Sequence, residues 1–158
     1  MNTSSQASRR TLVVAIVVLV FAGSASVRSQ PPTDFVPVTD AMLQNPAPDD
    51  WLMWRRTLDS WGYSPLEQIN RDNVGRVKMA WTRGLTAGLQ QGTPLVRDGV
   101  LYMPNPRDVI QALDATTGDL LWEHRRDRPD DLADHLSRAQ MDTNRNLAIF
   151  GATIIDTS

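Results

Sequence analysis

Four short apolar runs follow one another between residues 93 and 123, and a tight polar turn separates each run from the next. The runs are rich in Val, Leu, Ile and Tyr, which favour strands. The turns contain Asp98 and Gly99, then PNPRD, then DATTGD, and all are too short for a crossover helix. The pattern predicts four strands, each antiparallel to the next, at 93–96, 100–103, 109–113 and 120–123.

The pattern also repeats along the chain. Trp81 and Trp122 each end an apolar run and lie 41 positions apart, which is within the roughly 40 to 45 residues of one propeller blade. After Arg145, NLAIFGATIIDTS repeats the order of PLVRDGVLYMP, with an Asp-rich insertion at 127–142 between the units. The predicted fold is all-β, built from four-stranded antiparallel β-propeller blades: one full blade, the end of a preceding one and the opening of the next. Because a closed ring takes about four blades or more, we expect an incomplete propeller, the N-terminal fragment of a longer protein.

The turn DATTGD is predicted to join the last two strands of the full blade. Gly118 suits a position with positive φ, which glycine adopts without steric cost. Trp122 then follows as a large flat side chain that can fill the gap between neighbouring sheets. Its indole N–H is expected to donate to a backbone carbonyl of the adjoining blade.

The residues before the blades give weaker signals. Residues 31–50 carry five prolines and predict a loosely structured lead-in with one short helix begun at Thr39 or Asp40. Ser64, Pro65 and Glu67 form a capping-box pattern, which predicts a one-turn helix, and RVKMAWT (76–82) predicts a strand.

Three tryptophans precede the first predicted strand. Trp51, Trp54 and Trp61 are expected to seal the N-terminal segment against the propeller, and a sugar- or base-stacking surface is the alternative.

The N-terminus has the pattern of an export signal. Arg9 and Arg10 precede the apolar run 12–22, and small residues follow. A run of this length is too short to span a bilayer of roughly 30 Å, but it fits the apolar core of a secretory signal. We expect residues 1–30 to be removed after Ala25 or Ser29, with an uncleaved anchor as the alternative. The expected location is the periplasm, with membrane contact only through this signal.

Composition narrows the chemistry. The chain is 41% hydrophobic and 22% charged, an ordinary globular composition. Without the signal's three arginines, the 16 basic residues become 13 against 18 acidic ones, so the mature chain sits near −5. Nucleic acid is a poor partner for such interspersed charge. The chain has no cysteine, which excludes disulfides, thiolate metal sites, a catalytic cysteine and a lipid-bearing N-terminal cysteine.

The motifs of residues 51–158 resemble a known family. WGYSPLEQINRDNVGRVKMAW, TPLVRDGVLYMPNPRDVIQALDATTGDLLWE and NRNLAIFG are similar to the opening of the periplasmic quinoprotein alcohol dehydrogenases. These are eight-bladed propellers that bind pyrroloquinoline quinone (PQQ) and calcium. The resemblance implies a PQQ-dependent oxidoreductase whose isolated N-terminal fragment is inactive.

The resemblance assigns two candidate cofactor-binding residues. Members of the family place a glutamate before the Thr-Pro-Leu-Val strand to touch the cofactor, and Gln91 matches that position. Their Asn-Arg pair, whose arginine binds the quinone, matches Asn144 and Arg145. An amide can still donate and accept hydrogen bonds, and a guanidinium offers planar paired donors to the carboxylates of PQQ.

The chain also departs from that family. Many alcohol-oxidising members carry two adjacent cysteines a few residues before the arginine, and Ala139 and Gln140 stand there instead. Membership of the best-known methanol and ethanol subgroups is therefore in question. The family's calcium ligands and catalytic aspartate belong to later blades, so no catalytic or metal-binding residue is assigned to this chain.

The resemblance implies a reaction for the parent protein. Calcium polarises the quinone, a carboxylate takes the hydroxyl proton of a small alcohol, hydride passes to the quinone, and electrons leave to a cytochrome c or quinone acceptor. The competing interpretation is a non-enzymatic propeller that binds proteins as a periplasmic scaffold. The missing N-terminal cysteine and the motif YSPLEQIN count against a scaffold.

The insertion contains DDLAD, followed by His135. Carboxylates four residues apart share one helix face and could bind Mg²⁺. A short helix begun at Pro129, whose first turn favours acidic residues, explains the same pattern without a metal. His124 and His135 are expected to be surface residues.

Overall fold

The computed structural model describes residues 35–137 and 143–156. The export signal at 1–30, and also Ala139 and Gln140, lie outside the described residues, so those predictions stay predictions. In the described part the elements are α1 (Asp40–Gln44), a 3₁₀ turn (Val74–Arg76), β1 (Leu89–Gln90), β2 (Leu95–Arg97), β3 (Val100–Asn105), β4 (Val109–Asp114), β5 (Leu120–Arg125), α2 (Leu132–His135), β6 (Thr143–Asn144), β7 (Leu147–Phe150) and β8 (Thr153–Asp156). Within these ranges no helix is long and apolar enough to cross a membrane.

The four predicted strands form one antiparallel sheet in the order β2-β3-β4-β5. Asp98 and Gly99 turn β2 into β3 with φ of 50° and 74°, the left-handed pair that a two-residue hairpin requires. Arg97 then pairs with Val100 across the turn. A register shift between Ala112 and Leu113 bends the last pair of strands. The prediction of a four-stranded antiparallel blade is confirmed, with β3 and β5 each two residues longer than expected.

The next unit begins as predicted. Strands β7 and β8 form an antiparallel hairpin, and Gly151 at its turn has a φ of 58°. Leu147 and Ile149 face inward and join the buried cluster formed by Leu95, Tyr102, Ile110 and Ala112. One core therefore continues from the full blade into the opening of the next, as expected for blades that pack side by side.

The lead-in is packed against both units. Val38, 1% exposed, pairs with Gly151 at the second hairpin, and Trp51 pairs with Val96 at the edge of the blade. The helix α1 begins as predicted, with the Thr39 hydroxyl accepting from the Met42 N–H at 3.3 Å. The expectation of a loose segment is wrong for residues 35–50, because Val38 is part of the shared core and Met42 and Leu43 pack against it.

The Asp114 turn has the predicted form and an additional role. The Asp114 carboxylate accepts from the N–H groups of Thr116 and Thr117 at 2.8 and 3.0 Å, and Gly118 has a φ of 77°. A Cβ at Gly118 would lie 2.6 Å from the Trp81 ring. The indole of Trp81 donates to the Ala115 carbonyl at 3.1 Å. Gly118 is thus required both by backbone conformation and by the tryptophan packed on it.

The role predicted for Trp122 is seen at Trp81, the equivalent residue of the preceding unit, and for Trp122 itself it stays a prediction. Trp81 comes from the preceding strand and packs on the turn of the next blade. Trp122 instead packs on Tyr102 of its own sheet, with ring centroids 6.0 Å apart. Its predicted carbonyl acceptor is not found among the described residues, because the turn of a following blade is not among them either.

Two local predictions before the blade are wrong. Residues 64–67 form no helix, because the Ser64 hydroxyl accepts from Leu66 and closes a short turn instead. Residues 76–82 are not a strand. Within the described residues no neighbouring strand offers them a hydrogen-bonding ladder, and an extended run without a ladder is not a strand.

Two of the three tryptophans do not seal the N-terminal segment. Trp54 and Trp61 are exposed, the latter to 77%, and the sealing residue is the buried Leu52. The helix of the insertion begins at Leu132, three residues after Pro129. His135 is exposed, as predicted, and its Nε2 lies 3.7 Å from the Asp131 carboxylate.

Candidate functional site

Gln91 and Arg145 lie side by side where two blades meet. Strand β1 pairs with β6 in a parallel ladder, with Gln90 opposite Asn144. Gln91 and Arg145, the residues that directly follow these two strands, are therefore brought together. Arg145 Nε donates to Gln91 Oε1 at 2.8 Å. The Thr93 N–H donates to the Arg145 carbonyl at 3.4 Å and continues the contact. The two predicted cofactor-binding residues are 54 positions apart in sequence and form one pair.

The parallel ladder itself was not predicted. Short linked strands indicated antiparallel neighbours only, but equivalent strands of successive blades are related by a rotation and run in the same direction. The corresponding signal was present in the repeat, because Gln91 and Arg145 precede equivalent runs of the two units.

Close packing fixes the β1 side of the pair. A Cβ at Gly92 would lie 2.3 Å from Pro104 Cγ, so only glycine allows this approach. The Gln90 side-chain amide donates to the Pro104 carbonyl at 2.8 Å. The backbone around Gln91 is therefore held against the end of β3, which limits where its side chain can reach.

Asn144 is a site residue that the sequence reasoning did not single out. It is 1% exposed, and neither atom of its side-chain amide has a hydrogen-bond partner among the described residues. Burial of an amide without partners costs about 1–3 kcal/mol. A signal was available, since Asn144 directly precedes Arg145 in the motif that carried the resemblance.

A second buried amide lies at the end of β3. Asn105 Nδ2 donates to the Met103 carbonyl at 3.2 Å and to Gln111 Oε1 at 3.4 Å, while its Oδ1 has no partner in the described part of the chain. Gln111 in turn donates to the Glu123 carboxylate at 2.7 Å. This hydrogen bond is the main cause that lowers the pKa of Glu123, and Arg125 adds to it. A polar row thus crosses the sheet from β5 to the end of β3.

The donors at this place fit an anionic, oxygen-rich ligand. Arg145 supplies a guanidinium with planar paired donors, and Asn144 supplies a buried amide with unsatisfied hydrogen-bonding capacity. A metal centre has a different requirement. In residues 35–137 and 143–156 no group of three or more His, Cys, Asp or Glu side chains could hold a metal ion. These residues suit the carboxylates of PQQ and not its calcium.

Fold and site together define a class of protein. A complete four-stranded blade, the first hairpin of a second, and a tryptophan packed on the blade turn are parts of a β-propeller. The site lies at the parallel junction of the two units. The chain is therefore a partial β-propeller.

Residues 51–153 match the PQQ family described as the glucose, ethanol and alcohol dehydrogenase β-propeller domain. The chain belongs to this family, and the resemblance inferred from its motifs is confirmed.

Two similar proteins are named as alcohol dehydrogenases. The chain is 46% identical over 88 residues to the dehydrogenase subunit of a quinone alcohol dehydrogenase from Gluconacetobacter polyoxogenes, covering 55% of this chain and 12% of that protein. It is 36% identical over 118 residues to a quinohemoprotein alcohol dehydrogenase of Pseudomonas putida, covering 73% of this chain and 16% of that protein. The chain thus spans less than a fifth of the length of these two relatives.

Solved structures agree with the fold. The structure of a quinohemoprotein alcohol dehydrogenase from Pseudomonas putida HK5 matches with a TM-score of 0.67 and 32% identity, covering 77% of this chain and 18% of that one. A europium-containing methanol dehydrogenase matches with a TM-score of 0.64 and 25% identity, covering 75% of this chain and 21% of that one. The incomplete propeller predicted from the repeat is confirmed.

Proposed function

We propose that this chain is the N-terminal part of a periplasmic, PQQ- and calcium-dependent dehydrogenase that oxidises a small alcohol. Its electrons pass to a cytochrome c or a quinone. The observation that carries the proposal is the Gln91–Arg145 pair, which two separate units bring to 2.8 Å at their junction. Membership of the PQQ-dependent dehydrogenase family supports the assignment of the cofactor.

The residues of this chain bind and orient the cofactor. Arg145 binds a carboxylate or quinone oxygen through its free terminal nitrogens, and Gln91 lies beside it. When bound, PQQ supplies the two-electron acceptor that the oxidation of an alcohol needs. The calcium ligands and the general base would be supplied by other blades of the parent protein.

The cofactor assignment is tested in the full-length protein that the gene encodes. PQQ is titrated into the calcium-loaded apoprotein, and binding is followed by equilibrium dialysis. We expect Arg145→Ala to weaken binding about 10- to 100-fold, because a charge-assisted bidentate contact is lost. The control is Arg76→Ala, an exposed arginine in the 3₁₀ turn, which should bind PQQ as the unmodified protein does. Unchanged binding in Arg145→Ala would contradict the proposal.

The proposed location has its own test. Cell fractionation followed by N-terminal sequencing should find the mature protein in the periplasm, beginning at Ser26 or at Gln30, the residues that follow the two expected cleavage sites. Cytoplasmic protein that retains residues 1–30 would contradict export.

A further inference from the structure

The contact between Gln91 and Arg145 has a defined direction. A guanidinium has only donors, so Arg145 Nε must donate, and the Gln91 amide must present its oxygen. That oxygen is the atom with which Gln91 would accept a hydrogen bond from a ligand. It is already engaged at 2.8 Å by Arg145, so only the amide nitrogen of Gln91 remains to meet a ligand.

The same bond fixes how Arg145 faces a ligand. One hydrogen bond to Nε restrains the plane of the guanidinium. It leaves the two terminal nitrogens, which together carry four N–H groups, available to a ligand. These are the donors that grip a carboxylate in bidentate fashion. Gln91 can hold its position because Gly92 packs against Pro104 and Gln90 is bonded to the Pro104 carbonyl.

The charge of the pair follows from the residue at position 91. Glutamine is neutral, so the pair keeps the whole positive charge of Arg145. A carboxylate at position 91 would offer the same acceptor but would neutralise that charge. The chain therefore combines a fixed guanidinium with an unneutralised charge, which suits an anionic ligand.

From this geometry we propose that Gln91 is a positioning residue whose effect on cofactor binding is exerted through Arg145. The inference rests on the proposed function, and it changes the role that the family resemblance gives to position 91. The cofactor group that the pair recognises is a carboxylate, bound by the terminal nitrogens of Arg145.

A double-mutant cycle in the full-length apoprotein separates positioning from direct contact. PQQ dissociation constants are measured by equilibrium dialysis for Gln91→Ala, Arg145→Ala and the double variant. We expect Gln91→Ala to weaken binding about 5- to 10-fold alone and less than about 2-fold in the Arg145→Ala background, because a contact that acts through Arg145 disappears with it. Equal losses in both backgrounds would show direct contact and overturn the inference.

Two variants at position 91 test the hydrogen bond itself. Gln91→Glu keeps the acceptor oxygen but offsets part of the charge of Arg145, so it should weaken binding by at most about 3-fold. Gln91→Met keeps the length but has only a weak acceptor, and it should weaken binding about 5- to 10-fold, as Gln91→Ala does. Equal affinity of the Met and Glu variants would contradict a positioning hydrogen bond.

A structural readout does not depend on PQQ binding. In crystals of the apoprotein, Arg145 should leave its position in Gln91→Ala and keep it in Gln91→Glu. An undisplaced guanidinium in Gln91→Ala would overturn the inference even if the protein bound PQQ normally. If the unmodified protein binds no PQQ, the proposed function fails, while this measurement still decides whether Gln91 positions Arg145.

Discussion

Two adjacent parts of the chain use apolar residues in opposite ways. In the blade, residues 95–125, side chains such as Leu95, at 0% exposure, are buried between strands. In the leading segment, defined as residues 53–80, nine large apolar side chains are exposed. They are Trp54, Leu58, Trp61, Tyr63, Leu66, Ile69, Val74, Val77 and Met79.

The difference lies in what holds each part together. The blade has continuous backbone ladders between its strands. The leading segment is held by short local hydrogen bonds, for example from Asn73 Nδ2 to the Gln68 carbonyl at 2.7 Å. Its end is attached to the blade by Trp81 and by Arg83, which donates to the Gly118 carbonyl at 3.3 Å. Local order in the leading segment thus arises without burial of these apolar side chains among the described residues.

The sharpest test of this comparison is a pair of alanine substitutions in the full-length protein. Leu95→Ala should lower the free energy of unfolding by about 2–5 kcal/mol, because it leaves a cavity in the core. Met79→Ala, at a side chain 79% exposed, should change it by about 0.5 kcal/mol or less. Chemical unfolding measures both, and a large loss for Met79→Ala would show that the complete propeller buries the leading segment.

Two glycine substitutions test how the leading segment is attached to the blade through Trp81. Gly99→Ala and Gly118→Ala both place a side chain at positive φ, and nothing lies within 4 Å of a Cβ at Gly99, whereas the Trp81 ring lies 2.6 Å from one at Gly118. Each change should cost about 1–2 kcal/mol from the backbone. Gly118→Ala should cost about 1–3 kcal/mol more, because Trp81 must move. Equal losses of unfolding free energy would mean that Trp81 does not pack on this turn.

A smaller effect is expected from the indole hydrogen bond. Trp81→Phe keeps most of the ring and removes the donor to the Ala115 carbonyl, so stability should fall by about 0.5–1.5 kcal/mol. Hydrogen exchange should also become faster in residues 77–86, because their attachment to the blade is weakened. Unchanged exchange would show that this bond does not hold the leading segment.

The smallest effect concerns the polar row of the blade. The hydrogen bond from Gln111 lowers the pKa of Glu123 in the folded protein. The Glu123 carboxylate therefore stabilises the fold at pH values above its unfolded pKa. This stabilisation is lost as the pH falls through the lowered pKa of the folded state. Gln111→Leu should raise the pKa of Glu123 and reduce its contribution by about 0.5 kcal/mol or less after solvent screening. A carboxyl NMR titration measures this. Arg125→Ala should also raise the pKa of Glu123, because Arg125 donates to the same carboxylate. An unchanged pKa in Gln111→Leu would contradict the assigned cause.

Much of the blade was predictable because its signals are local. The left-handed pair Asp98 and Gly99, and Gly118 in its turn, determine where strands reverse, and alternation of apolar residues decides which strands exist. The prediction of a helix after Ser64 was wrong because a capping pattern alone does not supply the remaining hydrogen bonds of a helix. The prediction of a strand at residues 76–82 was wrong because a strand depends on a neighbouring strand that the local sequence does not contain.

The candidate site shows the same division. Arg145 and Gln91 were assigned from motifs, but their contact depends on the parallel pairing of β1 with β6, across 54 positions. The burial of Asn144 and the packing of Trp81 on the turn of the next blade also required the tertiary structure.

The sequence by itself determined the repeat, the turns, the family and the residue types at the site, because each is encoded within a few neighbouring positions. Only the tertiary structure decided that Trp81 packs on the Asp114 turn and that Gln91 accepts a hydrogen bond from Arg145. Those contacts depend on the rotation between successive units, a geometry that no local stretch of residues specifies.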